Sequence, residues 1–317
     1  MKFIEFIPIY KERVWGGHRL HDSLNRTLPD NRKYGESWDI VDRSDDQSIV
    51  KDGPWKGLSL RNLLQEQSHF IMGPKWPKDK PFPILVKWLD CQERLSIQVH
   101  PPKQLQKELK GESKTENWYI AEALPESAVF AGIQKSITPE IFQRALEAEN
   151  LETHLHHIPT TKGDSLFIPS GRLHAIAEGN LILEIQENSD TTYRVYDWGR
   201  LGLDGKFREL HIKESLLSID FNDIKPSKIP ASSENAILAD CPEFRIQKIC
   251  LHAPMELKAH QEPRILSIVD GFLKITDAEN SVLLNKGTNI LLPFCEHFIL
   301  EASKNCTILI VDHFIQC

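Results

Sequence analysis

The chain has 317 residues, of which 40% are hydrophobic, 26% charged and 8% aromatic. This ordinary globular balance excludes a disordered or fibrous protein, and the length is sufficient for about two domains. The formal charge is −7 at pH 7, and no run of Lys and Arg is long enough to follow a phosphate backbone. We therefore expect no nucleic-acid partner.

Membrane insertion and secretion are also disfavoured by the sequence. The longest apolar runs, such as 290–294 and 307–311, fall short of the ~20 residues that a membrane-spanning helix needs. The first fifteen residues, MKFIEFIPIYKERVW, offer no small-residue cleavage site and predict a first strand. We expect a cytoplasmic protein with no membrane partner. The six cysteines lack CxxC spacing and are predicted to be reduced core thiols: Cys91, Cys241, Cys250, Cys295, Cys306 and Cys317.

Short apolar runs separated by Gly, Pro, Asn and Asp dominate the chain and predict strands. These predicted strands cover 83–89, 94–99, 118–121, 127–132, 165–168, 181–186, 192–196, 244–251, 265–269, 271–275, 281–284, 289–292 and 307–314. Helical spacing occurs at 58–67, 139–149 and 211–218, with Thr138 as the predicted cap of the second helix. Many short strands with few helices favour a mainly β fold, a sandwich or barrel, over alternating βαβ units.

A shift in composition at 221–235 (FNDIKPSKIPASSEN) predicts a linker, and hence domains at 1–235 and 236–317. Segments 162–169 and 286–293 each run from a Lys-Gly turn through an apolar strand to a proline, and a histidine follows each of them, His174 and His297 respectively. This similarity is typical of repeated jelly rolls. The second segment has no Gln-X-His upstream, so we expect a repeat of the fold without a second metal site.

Three segments of the first domain supply candidate metal ligands. Ser96, Gln98 and His100 alternate with apolar residues and share one face of a strand, as they would also do on a solvated sheet. Glu116 lies on a second strand, and His174 follows a Pro-Ser-Gly turn. Two histidines and a carboxylate suit a catalytic zinc with an open position, to which Gln98 could add a fourth ligand. Spacing alone leaves open that these are core histidines.

The polar segment 182–200 supplies further candidates. Glu184 and Gln186 share one strand face, while Arg194 and Tyr196 share a face of the following strand. A guanidinium at the mouth of a cavity would suit a phosphate or a developing oxyanion. A surface ion pair is the alternative interpretation of Arg194.

Six segments, in order along the chain, resemble the signature blocks of type I mannose-6-phosphate isomerases. They are 35–38 (GESW), 83–101 (PILVKWLDCQERLSIQVHP), 114–119 (KTENWY), 163–176 (GDSLFIPSGRLHAI), 184–190 (EIQENSD) and 193–198 (YRVYDW). The chain is similar to the short bacterial form of this zinc-dependent cupin family. The resemblance implies two cupin-type jelly-roll β-barrels with a few helices inserted around the first, a catalytic metal in 1–235, and a metal-free jelly roll in 236–317.

The resemblance also implies a role for each candidate residue. The implied zinc ligands are His100, Glu116 and His174, with Gln98 as a possible fourth. The implied catalytic residues are Lys87, Lys114, Glu184 and Arg194. The implied substrate contacts are Ser96, Gln98, Lys114 and Arg194.

The implied activity is the interconversion of mannose 6-phosphate and fructose 6-phosphate through a cis-enediol, with one zinc per chain, in a monomer or weak homodimer. Zinc-bound hydroxide, Glu184 and a neutral lysine remain alternatives for the base that removes the C2 proton. Two other functions stay open. An iron oxygenase would use the same ligand types, although its apolar substrate would not need the cations. A non-catalytic double cupin that binds sugar phosphates is the second alternative.

Overall fold

The computed structural model describes residues 2–302 and 304–315. Its five helices are α1 (Arg19–Asp22), α2 (Leu60–Ile71), α3 (Gln106–Leu109), α4 (Pro139–Glu147) and α5 (Ile212–Ser218). Its twenty-two strands are β1 (Ile4–Ile7), β2 (Ile9–Gly17), β3 (Tyr34–Ile40), β4 (Ile49–Val50), β5 (Ile84–Cys91), β6 (Ile97–Val99), β7 (Glu116–Ala123), β8 (Ala128–Ile133), β9 (Leu155–Pro159), β10 (Ser165–Ile168), β11 (His174–Ile176), β12 (Asn180–Glu187), β13 (Tyr193–Tyr196), β14 (Ala236–Asp240), β15 (Arg245–Leu251), β16 (Met255–Leu257), β17 (Arg264–Asp270), β18 (Phe272–Thr276), β19 (Ser281–Asn285), β20 (Asn289–Leu292), β21 (Phe298–Ala302) and β22 (Cys306–Asp312). These counts refer to the described residues.

The strands form four sheets, which pack as two sandwiches. In the first sandwich the six-stranded sheet β10-β7-β12-β5-β3-β2 faces the five-stranded sheet β13-β6-β11-β8-β9. Trp118 and Ile182 of the former share a core with Val129 and Ile176 of the latter. In the second sandwich the seven-stranded sheet β14-β15-β22-β17-β20-β1-β4 faces the four-stranded sheet β16-β21-β18-β19 around a core of its own.

The two sandwiches pack back to back through the largest apolar cluster. Val86 and Leu183 from the six-stranded sheet meet Ile265 and Val311 from the seven-stranded sheet, with Leu63 of α2 at the same cluster. Strand β5 is consequently buried along its whole length. A strand covered on both faces needs an almost continuous apolar run, which is why residues 83–89 read PILVKWL.

The mainly β prediction is confirmed, and the three predicted helices correspond to α2, α4 and α5. The hydroxyl oxygen of Thr138 accepts a hydrogen bond from the Ile141 amide at 3.3 Å, as a helix cap does. Among the described residues, no helix is both long and apolar enough to cross a membrane. The single strand predicted over residues 1–15 is two strands in the structure, β1 and β2. The sequence analysis did not predict β3, β4, β9, β14, β16 and β21.

The prediction of core thiols is only partly correct. Cys91, Cys241, Cys250, Cys295 and Cys306 are all free thiols; Cys91 and Cys306 are buried as expected, whereas Cys241 and Cys250 are half-buried. Cys295 is exposed because it lies in the turn after β20, at a positive φ of 60°, and not in a strand. Cys317 lies outside the described residues.

The seven-stranded sheet joins segments from both sides of residue 235. Strand β1 pairs with β20 on one edge, with Ile4 opposite Leu291, and with β4 on its other edge. The predicted linker also contacts the first sandwich, because Ile229 and Ser165 exchange backbone hydrogen bonds of 2.8 and 2.9 Å. The division at residue 235 stays a prediction, and one sheet crosses it.

The shared cluster predicts that the two sandwiches unfold together. All seven tryptophans lie in the first 198 residues. Two of them, Trp55 and Trp76, lie at the cluster shared by the sandwiches and outside the strands of the first, so the fluorescence reports mainly on the first sandwich. Leu291→Ala, in the fully buried centre of the seven-stranded sheet, should destabilise the protein by about 3 kcal/mol through lost burial and a cavity. We expect Leu291→Ala to lower the urea midpoint of unfolding by the same amount whether unfolding is followed by tryptophan fluorescence or by circular dichroism.

Leu283→Ala is the matched control, because Leu283 lies in the same half of the chain and is 59% exposed. This change should alter stability by less than about 0.5 kcal/mol. If Leu291→Ala lowers the urea midpoint measured by circular dichroism but leaves the midpoint measured by fluorescence unchanged, the sandwiches unfold independently.

Candidate active site

A cavity of about 520 Å³ opens between the two sheets of the first sandwich. The six-stranded sheet contributes Lys87 and Glu184 to its wall, and the five-stranded sheet contributes Gln98 and Arg194. Side chains from both sheets meet here because β5, β12, β6 and β13 turn one face of their alternating residues inward.

Three buried side chains converge beside this cavity. Glu116 begins β7, His174 begins β11, and His100 directly follows β6; all three are fully buried. The Nε2 atoms of His100 and His174 each lie 3.6 Å from a Glu116 carboxylate oxygen. The three ligand atoms lie within 4.8 Å of one another. These separations exceed a hydrogen bond and fit ligands around one ion at about 2.0–2.2 Å from each.

The tautomers of both histidines follow from their outer contacts. Nδ1 of His100 lies 2.8 Å from the Thr191 carbonyl oxygen, and Nδ1 of His174 lies 2.9 Å from the Arg172 carbonyl oxygen. A carbonyl oxygen only accepts, so each Nδ1 carries the proton and each Nε2 presents a lone pair towards Glu116. Burial lowers the pKa of His100, and it lowers the pKa of His174 to about 3.

Glu116 completes a donor set that fits a divalent metal. Its Oε1 is buried without a hydrogen-bond partner among the described residues. Burial raises the pKa of this carboxyl, but the charge of Lys114 outweighs burial and holds the pKa well below its usual range. An ionised carboxylate and two neutral imidazoles are the ligand forms that zinc and similar metals require.

Gln98 lies opposite His174 across the β6–β11 pair. Its amide nitrogen lies 3.2 Å from Nε2 of His174, and its amide oxygen accepts a hydrogen bond of 3.2 Å from the Ser96 hydroxyl. In this orientation the nitrogen, and not the oxygen, faces the ligand cluster. A fourth ligand from Gln98 needs the amide to turn over, after which its nitrogen would donate to the Ser96 hydroxyl.

Lys114 carries its charge between two buried carboxylates. Its Nζ contacts Glu116, lies 3.5 Å from Glu184 Oε1, and lies 3.4 Å from Nε2 of His100. Burial lowers the pKa of this ammonium, but Glu116 and Glu184 outweigh burial and raise the pKa above its ordinary value. Lys114 is therefore protonated.

Glu184 lies at the centre of the wall formed by the six-stranded sheet. In the β12 register it is opposite Lys87 on one side and Trp118 on the other. Its Oε2 accepts a hydrogen bond of 2.9 Å from Trp118 Nε1, and its Oε1 lies 3.8 Å from Lys87 Nζ. Burial raises the pKa of Glu184, and the charge of Glu116 adds to the effect.

Arg194 reaches the cavity from β13, opposite Gln98 on β6. One guanidinium nitrogen donates to the Glu209 carbonyl oxygen at 2.7 Å, while its Nε is buried without a partner in the part of the chain that the structure describes. Burial lowers the pKa of this guanidinium, and the neighbouring charge of Arg208 lowers it further.

The cavity wall contains charged residues that the sequence analysis did not single out. Arg13 holds Glu36 through two nitrogens at 2.9 and 3.2 Å. Burial raises the pKa of Glu36, but Arg13 and Lys87 override burial and lower the pKa to about 2. Asp190 lies 3.7 Å from Lys87, and Arg208 lies on the opposite rim. Glu36 and Asp190 fall inside segments that carried the family resemblance, whereas nothing in the sequence marked Arg208.

Among its described residues, the second sandwich has one group of possible ligands, His260, Glu262 and Asp312, whose ligand atoms also lie within 4.8 Å of one another. Asp312 is already paired with two nitrogens of Arg245, at 2.9 and 2.7 Å. His297, the histidine of the repeated segment, pairs with the exposed Glu256 at a distance of 2.9 Å. A metal-free second sandwich stays a prediction.

Fold and ligand cluster together define a cupin-type metal-binding protein, and comparison with known proteins narrows the class. The sequence-family model described as the catalytic domain of type I phosphomannose isomerase matches residues 3–132 of this chain. The mannose-6-phosphate isomerase ManA of Bacillus subtilis (strain 168) is 34% identical over 97% of this chain and 98% of its own length. The mannose-6-phosphate isomerase of Streptococcus mutans is 33% identical over 89% of each chain.

Solved structures agree with these sequence matches. The crystal structure of the mannose 6-phosphate isomerase from Bacillus subtilis superposes with a TM-score of 0.85 at 28% identity, covering 98% of this chain and 100% of that one. A mannose 6-phosphate isomerase bound with zinc and yttrium has the same fold, with a TM-score of 0.75 at 15% identity, covering 98% of this chain and 99% of that one. The chain belongs to the type I mannose-6-phosphate isomerase family.

The ligand cluster predicts that either histidine is needed to retain metal. His100→Ala or His174→Ala removes one of three ligands and leaves Glu116 with a reduced donor set, so metal content should fall sharply. The control is His297→Ala, because His297 has a half-exposed side chain away from the cluster. Metal is measured in the purified, desalted proteins by mass spectrometry. If the two cluster variants retain as much metal as the His297→Ala control, the metal is not bound by His100 and His174.

Proposed function

We propose that the protein interconverts D-mannose 6-phosphate and D-fructose 6-phosphate with one zinc ion held by His100, Glu116 and His174. The observation that carries the proposal is this buried cluster, with two imidazole lone pairs directed at an ionised carboxylate beside a cavity rich in cations. The two curated relatives at 33–34% identity, named as mannose-6-phosphate isomerases, support the activity.

The donor set favours zinc as the metal. Imidazole and carboxylate ligands in a three-residue set are typical of catalytic zinc sites, which keep one position open. Two neutral imidazoles and one carboxylate leave a bound divalent ion with net positive charge. When bound, the ion supplies Lewis acidity that polarises the sugar oxygens.

Glu184 is the group we assign to the proton transfer. The isomerisation takes a proton from C2, and the C–H electron pair forms the C1–C2 double bond of a cis-enediol while the C1 oxygen gains negative charge or a proton. When a proton is returned to C1, the C1–C2 double bond is lost and the C2 hydroxyl releases its proton to solvent, which leaves the carbonyl at C2. Burial raises the pKa of Glu184 towards the working pH, which suits a base that must both take up and release the proton.

The lysines act through charge. Lys114 lies between Glu116 and Glu184, which raise the pKa of its ammonium, so we assign it to stabilising the developing oxyanion. Lys87 lies against Glu184 and Asp190 and keeps these carboxylates neutralised. This arrangement favours Glu184 over a neutral lysine, one of the alternatives that the sequence left open.

The remaining predicted residues position the sugar. Ser96 and Gln98 present a hydroxyl and an amide to the cavity from one strand face, and Arg194 presents a guanidinium from the neighbouring strand. Hydroxyl and amide groups suit sugar hydroxyls, and the guanidinium suits a phosphate. A hexose 6-phosphate substrate follows from this combination. A cytoplasmic location and a monomer or weak homodimer remain predictions.

Two other functions are distinguished by simple assays. An iron oxygenase would consume oxygen in the presence of iron and an apolar substrate, which the charged cavity wall argues against. A non-catalytic sugar-phosphate-binding cupin would bind mannose 6-phosphate without forming fructose 6-phosphate. The charged, buried Glu184–Lys114 pair beside the ligand cluster favours catalysis over binding alone.

Metal removal tests the proposed cofactor. We expect exhaustive chelation to abolish the formation of fructose 6-phosphate from mannose 6-phosphate, and a stoichiometric addition of zinc to restore it, because the ion provides the polarising charge. Turnover is followed in a coupled assay, with metal quantified in the same samples. Undiminished turnover by metal-free protein would rule out the metal-dependent mechanism.

Glu184→Gln tests the assigned base. The amide keeps the size of the side chain but cannot accept the C2 proton, so kcat should fall about 10²–10⁴-fold while metal content is retained. Incorporation of solvent deuterium at C1 and C2, measured by NMR in D₂O, should fall in parallel. Glu178→Gln, with its side chain 59% exposed outside the cavity, is the control. Full deuterium exchange in Glu184→Gln would assign the base to another group.

A further inference from the structure

A hairpin that the sequence did not predict covers one rim of the cavity. It follows β13, closes with a bridge between Leu201 and Phe207, and is fastened by a 2.7 Å hydrogen bond from the Gly202 amide to the Lys206 carbonyl. Leu203 and Arg208 of this hairpin lie on the cavity wall. Leu203 is 65% exposed and Phe207 is 72% exposed, so the hairpin is held mainly by its charged base and not by apolar packing.

The base of the hairpin depends on one buried carboxylate. Asp197 is 6% exposed and receives two arginines. Arg208 donates from Nε at 2.6 Å and from Nη2 at 2.5 Å, and Arg200 donates from Nε at 3.1 Å and Nη2 at 2.9 Å. Arg194, close enough to Arg208 for the two charges to interact, adds a third guanidinium. Asp197 is the only carboxylate of the described residues that forms ion pairs with these arginines. Asp204 on the cavity wall and Glu209 lie nearby without pairing with them, so guanidinium nitrogens at this rim stay unpaired.

The other cations of the wall are already neutralised. Arg13 pairs with Glu36, Lys87 with Glu184 and Asp190, and Lys114 with Glu116 and Glu184. Within residues 2–302 and 304–315, Arg194 forms no ion pair, and neither Nε of Arg194 nor Nη1 of Arg208 has a hydrogen-bond partner. The unpaired positive charge of the cavity is therefore concentrated where β13 meets the hairpin.

We propose that Arg208, together with Arg194, binds the phosphate of the hexose 6-phosphate, and that Asp197 is the positioning residue that fixes the Arg208 guanidinium at the cavity rim. This inference rests on the proposed function, which supplies the phosphate ester as substrate. Two guanidinium forks match the several oxygens and the double charge of a phosphate monoester. Asp197 accepts hydrogen bonds from Nε and Nη2 of Arg208 and leaves Nη1 available to the ligand. Because the guanidinium is already held in place, binding the phosphate costs little side-chain entropy.

The arrangement also separates binding from chemistry. The phosphate end of the substrate is held by residues from β13 and the hairpin, whereas the proton transfer occurs at Glu184 on the opposite sheet. Loss of Arg208 should therefore weaken the binding of ground and transition states alike, which raises KM and leaves kcat almost unchanged.

Arg208→Gln tests the proposal, with Arg200→Gln as its matched control. Both arginines bind Asp197, and their side chains are similarly buried, 21% and 15% exposed. Arg208 lies on the cavity wall, whereas Arg200 does not and donates instead to the Arg94 carbonyl oxygen. Mannose 6-phosphate is the substrate, and inorganic phosphate is the competitive probe.

In Arg208→Gln we expect KM for mannose 6-phosphate and the inhibition constant for inorganic phosphate to rise about 10–100-fold, the range for a lost charge-assisted hydrogen bond. We expect kcat within threefold of wild type, roughly, and unchanged metal content. In Arg200→Gln both constants should stay within about twofold. Arg208→Lys keeps the charge but not the fork, so its KM should lie between those of the wild type and Arg208→Gln.

The outcomes separate this inference from the proposed function. Wild-type isomerase activity with an unchanged KM and inhibition constant in Arg208→Gln overturns the phosphate assignment and leaves the function standing. Equal rises in Arg208→Gln and Arg200→Gln overturn it as well, because they indicate a structural effect of Asp197. Phosphate binding that depends on Arg208 without isomerisation supports the assignment and overturns the function. If Arg208→Gln does not fold, the same comparison is made with Arg208→Lys.

Discussion

A sheet buried on both faces is the constraint on which the rest of this structure depends. One face of the six-stranded sheet packs against the second sandwich, and its other face looks into the cavity. Lys87, Glu116 and Glu184 project from that sheet, almost without access to water. Buried charges cost several kcal/mol each unless they are paired, so every one of them lies against an opposite charge. The ion pairs that offset the cost of burying these charges therefore also supply the charged groups of the site.

Much of the framework could be predicted from the sequence because burial leaves a local pattern. The apolar run of β5 and the alternation at Ser96, Gln98 and His100 follow from covering one or both faces of a strand. The convergence of His100, Glu116 and His174 is different. These residues come from two facing sheets, and no local periodicity encodes which sheets face each other. The residue types suggested a possible ligand set but left open that these are core histidines, and the family resemblance indicated that the three residues meet.

Features that depend on distant pairing were missed for the same physical reason. The hairpin at 201–207 has largely exposed apolar side chains, so it lacks the buried alternation that marks a strand. Arg13 and Glu36 become partners only because β2 pairs with β3. The exposed Cys295 adopts a left-handed backbone conformation within a turn, which an apolar context in the sequence does not reveal. Each case needs three-dimensional neighbours to be recognised.

The pairing of β1 with β20 has a consequence for synthesis on the ribosome. Strand β1 can pair with β4 early, but its other neighbour in the sheet, β20, is available only when residues 289–292 have been made. Until then β1 exposes an unpaired edge, and the back of the six-stranded sheet lacks the apolar cover supplied by β17, β20 and β22. Such late, long-range closure slows folding and leaves nascent chains open to aggregation. A chain stalled a few dozen residues early would hold all the metal ligands and still be a client for chaperones.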